Sequence, residues 1–488
     1  MNEQAERTAA PARDAAISLR VHQNKYLPAA AGPTEMHAVI VVEAQGLGPA
    51  AARTTASQVI VIDCSGSMSW PHTKIAAARR ATATAVQLLR DGTRFAIVQG
   101  TERADVVYPP GGGMAVASAD TRAAAARAAA VLPAVGGTAI GSWLDLARRL
   151  HLERPAAIRH TLLLTDGRNE HDPPGYLHQV LGDCAPHFIC DARGIGDGWD
   201  ATELREIVRR LHGRADAVLE DSALTAAFEE MVSASMAKAL AGVRIRVRSR
   251  AGGRIGFVKQ LHPTRVDLTA EGTRPDARTW ECRTDAWGDE VREFHVCVLA
   301  DPGGDPAGED VELAVVELAL DGDTGPAPPE PRSVLVQWTD DVLLSSRVDP
   351  RLLHYGADAD LGRAITAGCD AYEAGEREEA RRQWALAVRL AHQLGSGKTL
   401  SRLRGLVDIV DAATGTVRIR ETVRPLDLNS VLIVSDESVR FTGAERAGAA
   451  PAGPDVDCPG CGRTAPASAA FCQQCDAPLR PGEPGGAP

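Results

Sequence analysis

Aromatic residues make up only 4% of this 488-residue chain. Its cores must therefore be built from Ala, Val, Leu and Ile, for which a hydrophobic content of 44% leaves enough material. Long apolar runs are missing: none approaches the roughly 18 consecutive residues needed to span a bilayer, so no membrane association is expected. The opening stretch MNEQAERTAAPARDAAISL has no basic segment followed by an apolar core, so an export signal is not expected either. Positive charge is in short supply, with 53 Lys and Arg against 64 Asp and Glu and a formal net charge of −11. Such a chain has no broad field to attract phosphate backbones, which argues against a general nucleic-acid binder. The expectation is a soluble, cytoplasmic protein, long enough for about two to four domains.

What is present falls into blocks. Residues 1–14 are polar and Ala-rich and read as a disordered tail. Residues 15–50 contain ISLRVHQNKYLP and HAVIVVEA, which alternate apolar and polar positions as half-buried strands do. Residues 57–238 change grammar. The short runs VIVI, FAIV, TLLLT and HFIC barely alternate, as strands covered on both faces do. They are separated by helical stretches at 73–90, 120–131, 140–152, 201–212 and 222–240. Strands alternating with helices predict an α/β fold with a doubly wound, mostly parallel sheet.

Alternation returns over 241–345, in GVRIRVRSR, EFHVCVLA and VELAVVELAL. These strands and the N-terminal pair are expected to form one β-sandwich into which the α/β domain is inserted. An isolated strand pair could not otherwise bury its apolar face. Residues 350–412 read as a helical hairpin whose Tyr372, Gly375, Ala380, Trp384 and Ala387 resemble one tetratricopeptide unit. About three such units are needed for a self-supporting array, so a hairpin packed on a neighbour is expected. Residues 413–457 read as a linker, most clearly over GAERAGAAPAGPDVD.

The ten cysteines divide into two sets. Cys64, Cys184, Cys190, Cys282, Cys297 and Cys369 are scattered and read as small buried hydrophobes in a reducing compartment. Cys458, Cys461, Cys472 and Cys475 form two close pairs within 458–480. Four thiolates so spaced suit a closed, tetrahedral, structural Zn²⁺ site, and the segment resembles a short zinc ribbon. Its charges, Arg463 and Arg480 against Asp476 and Glu483, balance. A structural or protein-docking role fits that balance better than nucleic-acid binding.

The stretch VIVIDCSGSMSW drives a buried strand straight into Asp63, Ser65 and Ser67. At the carboxyl edge of a doubly wound sheet, ligands bind, and these hard oxygen donors suit Mg²⁺. A hydrolase nucleophile elbow fails because neither serine is flanked by glycines at two residues' distance. A phosphotransfer Asp-x-Asp fails because Ser65 stands at the second acidic position, and a Walker loop fails for want of a lysine in the turn. Simple helix capping would account for one or two of these groups.

Asp-x-Ser-x-Ser after an apolar strand resembles the metal-ion-dependent adhesion site of von Willebrand factor A domains. The resemblance covers residues 57–235, and in that family a threonine and an aspartate from two later loops complete the site. Here they would be Thr138, in VGGTAIGSWLDLA, and Asp166, in TLLLTDGRNEHD. The resemblance implies Mg²⁺ (or Mn²⁺) held by Asp63, Ser65, Ser67, Thr138 and Asp166, with an open position for the Asp or Glu carboxylate of a protein partner and no catalysis. The whole resembles bacterial intracellular adaptors of signalling or stress assemblies, which implies partners such as a kinase, a phosphatase or a MoxR-type ATPase system. The alternative is a metal-dependent hydrolase at the same site, for which His171 with Glu170 is the local offering. His72, His160 and His187 read as ordinary histidines and Trp287 as a core anchor. GSGKT, at 395–399, lacks both the preceding strand and the first glycine of a phosphate-binding loop. Its Gly395 reads as a helix C-cap.

Overall fold

The computed structural model describes residues 15–29, 32–284, 286–321, 326–443, 456–457 and 464–465. The tail 1–14 and the four C-terminal cysteines lie outside them.

The strand Ala56–Asp63 is buried at every position because it runs through the middle of a seven-stranded sheet. In spatial order that sheet is Ala215–Val218, Ile189–Ile195, Ile158–Thr165, Ala56–Asp63, Arg94–Gly100 and Ala104–Tyr108, with Ala115–Val116 also on Arg94–Gly100. The first five strands are parallel, and Ala104–Tyr108 turns back antiparallel. Helices Thr73–Gln87, Ala119–Ala129 and Leu224–Met236 pack one face. Helices Ile140–Glu153, Tyr176–Cys184 and Ala201–Arg210 pack the other. The short helix Tyr176–Cys184 was not legible in the sequence. From Ala56–Asp63 the chain first adds a neighbour on one side, Arg94–Gly100, and later one on the other, Ile158–Thr165. Such a reversal opens a crevice beyond the carboxyl end of the central strand.

Two five-stranded sheets form the sandwich. One runs Ala16–Gln23, Thr34–Gln45, Glu290–Ala300, Arg254–His262, Val266–Asp267, and the other Thr279–Arg283, Val243–Ser249, Asp310–Leu320, Arg332–Thr339, Tyr26–Pro28. Ile17, Leu19 and Ile40 of the first meet Val243, Ile245, Val247 and Val336 of the second in one core, with Trp287 and Trp338. On the other face of Val243–Ser249, Arg244 and Arg246 pair with Glu281, Glu317 and Asp321. Tyr26–Pro28 crosses to the second sheet and pairs in parallel with Arg332–Thr339. Three residues are too few to show a period, so this crossing was not foreseeable from alternation.

Helices Pro350–Glu373 and Arg377–Gln393 form the hairpin, closed by Gly375 at φ +81°. Its core gathers Ile365, Cys369, Trp384 and Val388. Up to residue 443 the linker expected over 413–457 needs correcting; 444–455 lie outside the described residues. Val407–Asp411 pairs with Thr416–Ile419, and Pro425–Val434 is a helix that buries Leu426, Val431, Ile433 and Val434. Val431 and Val434 join the hairpin core, whereas Leu426 and Ile433 join the α/β core. With its apolar residues spread around its circumference, this ten-residue helix has no amphipathic stripe, and it lies between two cores. Residues 440–488 form a separate unit, in which Val456–Asp457 pairs with Thr464–Ala465.

Candidate functional site

Asp63 ends the central strand, and the parallel register sets Ile62 beside Leu164. The last side chains of two adjacent strands therefore meet. The Thr165 hydroxyl donates to Asp63 Oδ2 at 2.7 Å, and the Ser65 amide donates to Asp63 Oδ1 at 2.9 Å. A short 3₁₀ turn, Gly66–Ser69, follows and swings Ser67 back over the edge. Ser65 Oγ lies 2.9 Å from Ser67 Oγ, and Ser67 Oγ donates to Asp166 Oδ1 at 2.6 Å. Gly66 N donates to Gly136 O and Val135 N to Cys64 O, at 2.9 and 2.7 Å, which draws the Thr138 loop against the serine turn. A methyl group on Gly167 would stand 3.1 Å from Thr138 Oγ1, so the threonine faces the loop that carries Asp166. Hydrogen bonds thus link Asp63, Ser65, Ser67 and Asp166, and Thr138 stands beside the loop of Asp166.

The loops are held from outside. The Thr138 carbonyl accepts from the amides of Glu170 and His171 at 3.1 and 2.9 Å. His171 Nδ1 in turn accepts from the Thr138 amide at 3.1 Å. Asn169 Oδ1 accepts from Ile140 N, while Asn169 N donates to Glu203 Oε1. Burial pushes the Glu203 carboxyl up to about 7. Glu102 accepts from Gly137 N at 2.8 Å. His171 is thus a brace for the Thr138 loop. His72 is exposed, and His160 bridges Gln58 and Asp191 away from the site. In GSGKT, Gly395 has φ +69° and Lys398 pairs with Asp216 and Glu437.

Two features escaped the sequence reading. Lys74, on the first turn of Thr73–Gln87, places Nζ 2.5 Å from Asp166 Oδ2, with both groups buried. A single lysine in an Ala-rich helix gives no local hint of this partner 92 residues away. The helix Pro425–Val434 also braces the site's margin. Leu426 N donates to Asp197 Oδ1 and Asn429 Nδ2 to Trp199 O, at 3.1 and 2.7 Å. That loop packs on the site itself: a methyl on Gly198 would fall 2.6 Å from the Asp166 carbonyl oxygen.

Burial pushes the Asp63 carboxyl up to about 6, with Asp166 nearby adding to the effect against hydrogen bonds from Ser65 and Thr165. Two buried carboxylates stand close together and, among the described residues, the Lys74 ammonium is bonded only to Asp166, so the site has room for further positive charge. The donor set consists of carboxylate and hydroxyl oxygens only. That is what Mg²⁺ or Mn²⁺ prefers, and the residues present fit such an ion.

A parallel sheet with this acid and hydroxyl cluster at its switch strand is the design of a von Willebrand factor A-type domain. The von Willebrand factor type A domain family matches residues 57–217, and the von Willebrand factor type A C-terminal domain family matches 389–428. The second match includes part of the stretch expected to be linker. A solved von Willebrand factor type A protein from Catenulispora acidiphila is 36% identical, with 89% of this chain and 99% of that one covered, at a TM-score of 0.80. The ArnB paralog VWA2 from Sulfolobus acidocaldarius shares the fold at 12% identity, with 86% and 98% covered and a TM-score of 0.53. No curated protein matches the chain. The chain belongs to the von Willebrand factor type A family.

Proposed function

We propose that this protein is a Mg²⁺-dependent protein-binding adaptor that captures a partner's Asp or Glu carboxylate at the edge of its α/β domain. Asp63, Ser65, Ser67, Thr138 and Asp166 would hold the ion, and Mn²⁺ could replace Mg²⁺. The ion would supply a positive charge with a coordination position left for the partner. The chain's own part is positioning: Thr165 and the Ser65 amide fix Asp63, Lys74 fixes Asp166, and His171 fixes the Thr138 loop. The observation that carries the reading is the convergence of these donors, from three separate loops, at the switch strand.

The rim supports binding to another protein. Trp70, directly after the serine turn, is 75% exposed, and Val135, next to the glycines before Thr138, is also exposed. A large aromatic beside a charged anchor is the usual make-up of an interface hot spot. The hydrolase alternative has less support, since the His171 ring already accepts from the Thr138 amide. Domains of this family are in general interaction modules without catalysis.

We place the protein in the bacterial cytoplasm, within a signalling or stress assembly that could include a kinase, a phosphatase or a MoxR-type ATPase system. Among the described residues no helix is long and apolar enough to cross a membrane. The C-terminal Cys458, Cys461, Cys472 and Cys475 would hold Zn²⁺ in a ribbon with a structural or docking role.

Affinity capture with wild-type and Asp63→Ala bait, each in Mg²⁺ and in chelator, tests the reading. Partners retained only by wild-type bait in Mg²⁺ are expected. Identical retention under all four conditions would reject it.

A further inference from the structure

A second set of ligand-type side chains stands on the first sandwich sheet. Glu35 and His37 lie on Thr34–Gln45, and His295 and Cys297 on the adjacent Glu290–Ala300. In their antiparallel register Cys297 is paired with His37 and His295 with Val39. Alternation turns these residues away from Met36, Ala38, Phe294 and Val296, which fill the sandwich core. One ligand atom from each of Glu35, His37 and Cys297 lies within 4.8 Å of the other two. His37 Nε2 is 3.2 Å from Glu35 Oε2, and His37 Nδ1 is 3.1 Å from His295 Nε2. In a tetrahedral zinc site, bonds of about 2.0–2.3 Å separate the ligands by roughly 3.3–3.8 Å. Glu35 Oε2 and His37 Nε2 already stand at about that spacing.

We propose that Glu35, His37 and Cys297 form a Zn²⁺ site, with His295 as the positioning residue that orients His37. A mixed oxygen, nitrogen and sulfur set suits this borderline-soft ion better than Mg²⁺ or Ca²⁺. Three protein ligands leave a fourth position for water or an outside donor. His37 would bind through Nε2 and donate its Nδ1–H to His295, the arrangement that commonly fixes a metal-bound imidazole. Binding of the ion would release the proton of the Cys297 thiol.

The neighbouring strand makes room for the sulfur. Arg254–His262 shifts register between Ile255 and Phe257, and a methyl on the intervening Gly256 would lie 3.1 Å from Cys297 Sγ. A bulge at a glycine keeps that approach open, as bulges beside sites often do. The nearby cation, Lys259, is turned to other partners, 4.5 Å over the Phe257 ring and 3.9 Å from Asp267.

The test counts zinc in the full chain with excess Mg²⁺ present; any zinc at the switch-strand site is common to the proteins compared and cancels. Wild-type protein should hold one equivalent more than His37→Ala, whatever the C-terminal cysteines bind. Glu35→Gln, at an exposed position, serves if His37→Ala does not fold, and should weaken the extra equivalent at least tenfold. With Co²⁺ as probe, wild-type minus Cys297→Ser should leave a thiolate-to-cobalt charge-transfer band. Equal zinc content in wild-type and variant, or a flat difference spectrum, would overturn the proposal.

Discussion

Lys74 Nζ sits 2.5 Å from Asp166 Oδ2, and Ser67 Oγ sits 2.6 Å from the other oxygen of the same carboxylate. Asp166 is thus gripped from the helix that follows the serine turn as well as from the turn itself. Removing the ammonium would leave the buried Asp166 carboxylate without its counter-charge, close to Asp63. Breaking a buried pair from one side costs about 3–5 kcal/mol. Lys74→Met should therefore melt well below wild type in chelator, and Mg²⁺ should stabilise it more than it stabilises wild type. Thermal melts with and without Mg²⁺ measure both. An equal Mg²⁺ gain in the two proteins would mean that Lys74 and the ion do not share the site's negative charge.

The α/β domain carries a built-in acid sensitivity at His151. Its Nδ1 lies 2.8 Å from Ser57 Oγ and its Nε2 3.1 Å from Thr161 Oγ1, tying Ile140–Glu153 to two strands. Burial, with Arg159 a smaller cause, pushes its pKa down to about 3. The unfolded chain takes up a proton near pH 6.5 that the folded chain refuses until about pH 3, so stability falls as pH drops through that window. The contribution approaches about 1.4 kcal/mol per pH unit. Urea titrations from pH 7 to 5 should show a shallower fall for His151→Gln, which is less stable at pH 7. Parallel slopes would contradict it.

Leu426 tests whether the C-terminal helix belongs to the α/β core. It is 4% exposed and packs with the cluster that holds Trp199 and Leu204. Leu426→Ala should cost about 2–4 kcal/mol, and hydrogen exchange should quicken in the 196–199 loop. A loss below about 0.5 kcal/mol, typical of a surface position, would show that the helix is an appendage.

Trp70→Ala separates binding from folding. Because the ring is exposed, the variant should keep wild-type stability to within about 0.5 kcal/mol. It should also lose a large part of its retention of whatever partner Asp63 recruits in Mg²⁺. Unchanged retention would take the tryptophan out of the interface.

Much of this was legible because the physics was local. The runs VIVI and TLLLT announce strands buried on both faces, and Asp63, Ser65, Ser67, Thr138 and Asp166 each sit where a strand or helix begins or ends. Lys74 was not legible: its partner is set by the fold, and its own neighbours are ordinary helix formers. Pro425–Val434 was missed because its apolar residues fall on every side and carry no period to count. Tyr26–Pro28 was missed because a three-residue strand has none either. Cys297 read correctly as a small buried residue, but only the register with Thr34–Gln45 sets His37 opposite it.

The central claim is that the donors at the switch strand hold a divalent ion, and Mg²⁺ calorimetry on the full chain tests it most directly. Wild-type protein should bind one Mg²⁺ at this site, and Asp166→Ala should lose that binding while keeping its circular dichroism spectrum, because the strand core lies behind the site. Undiminished Mg²⁺ binding by a folded Asp166→Ala variant would contradict the account.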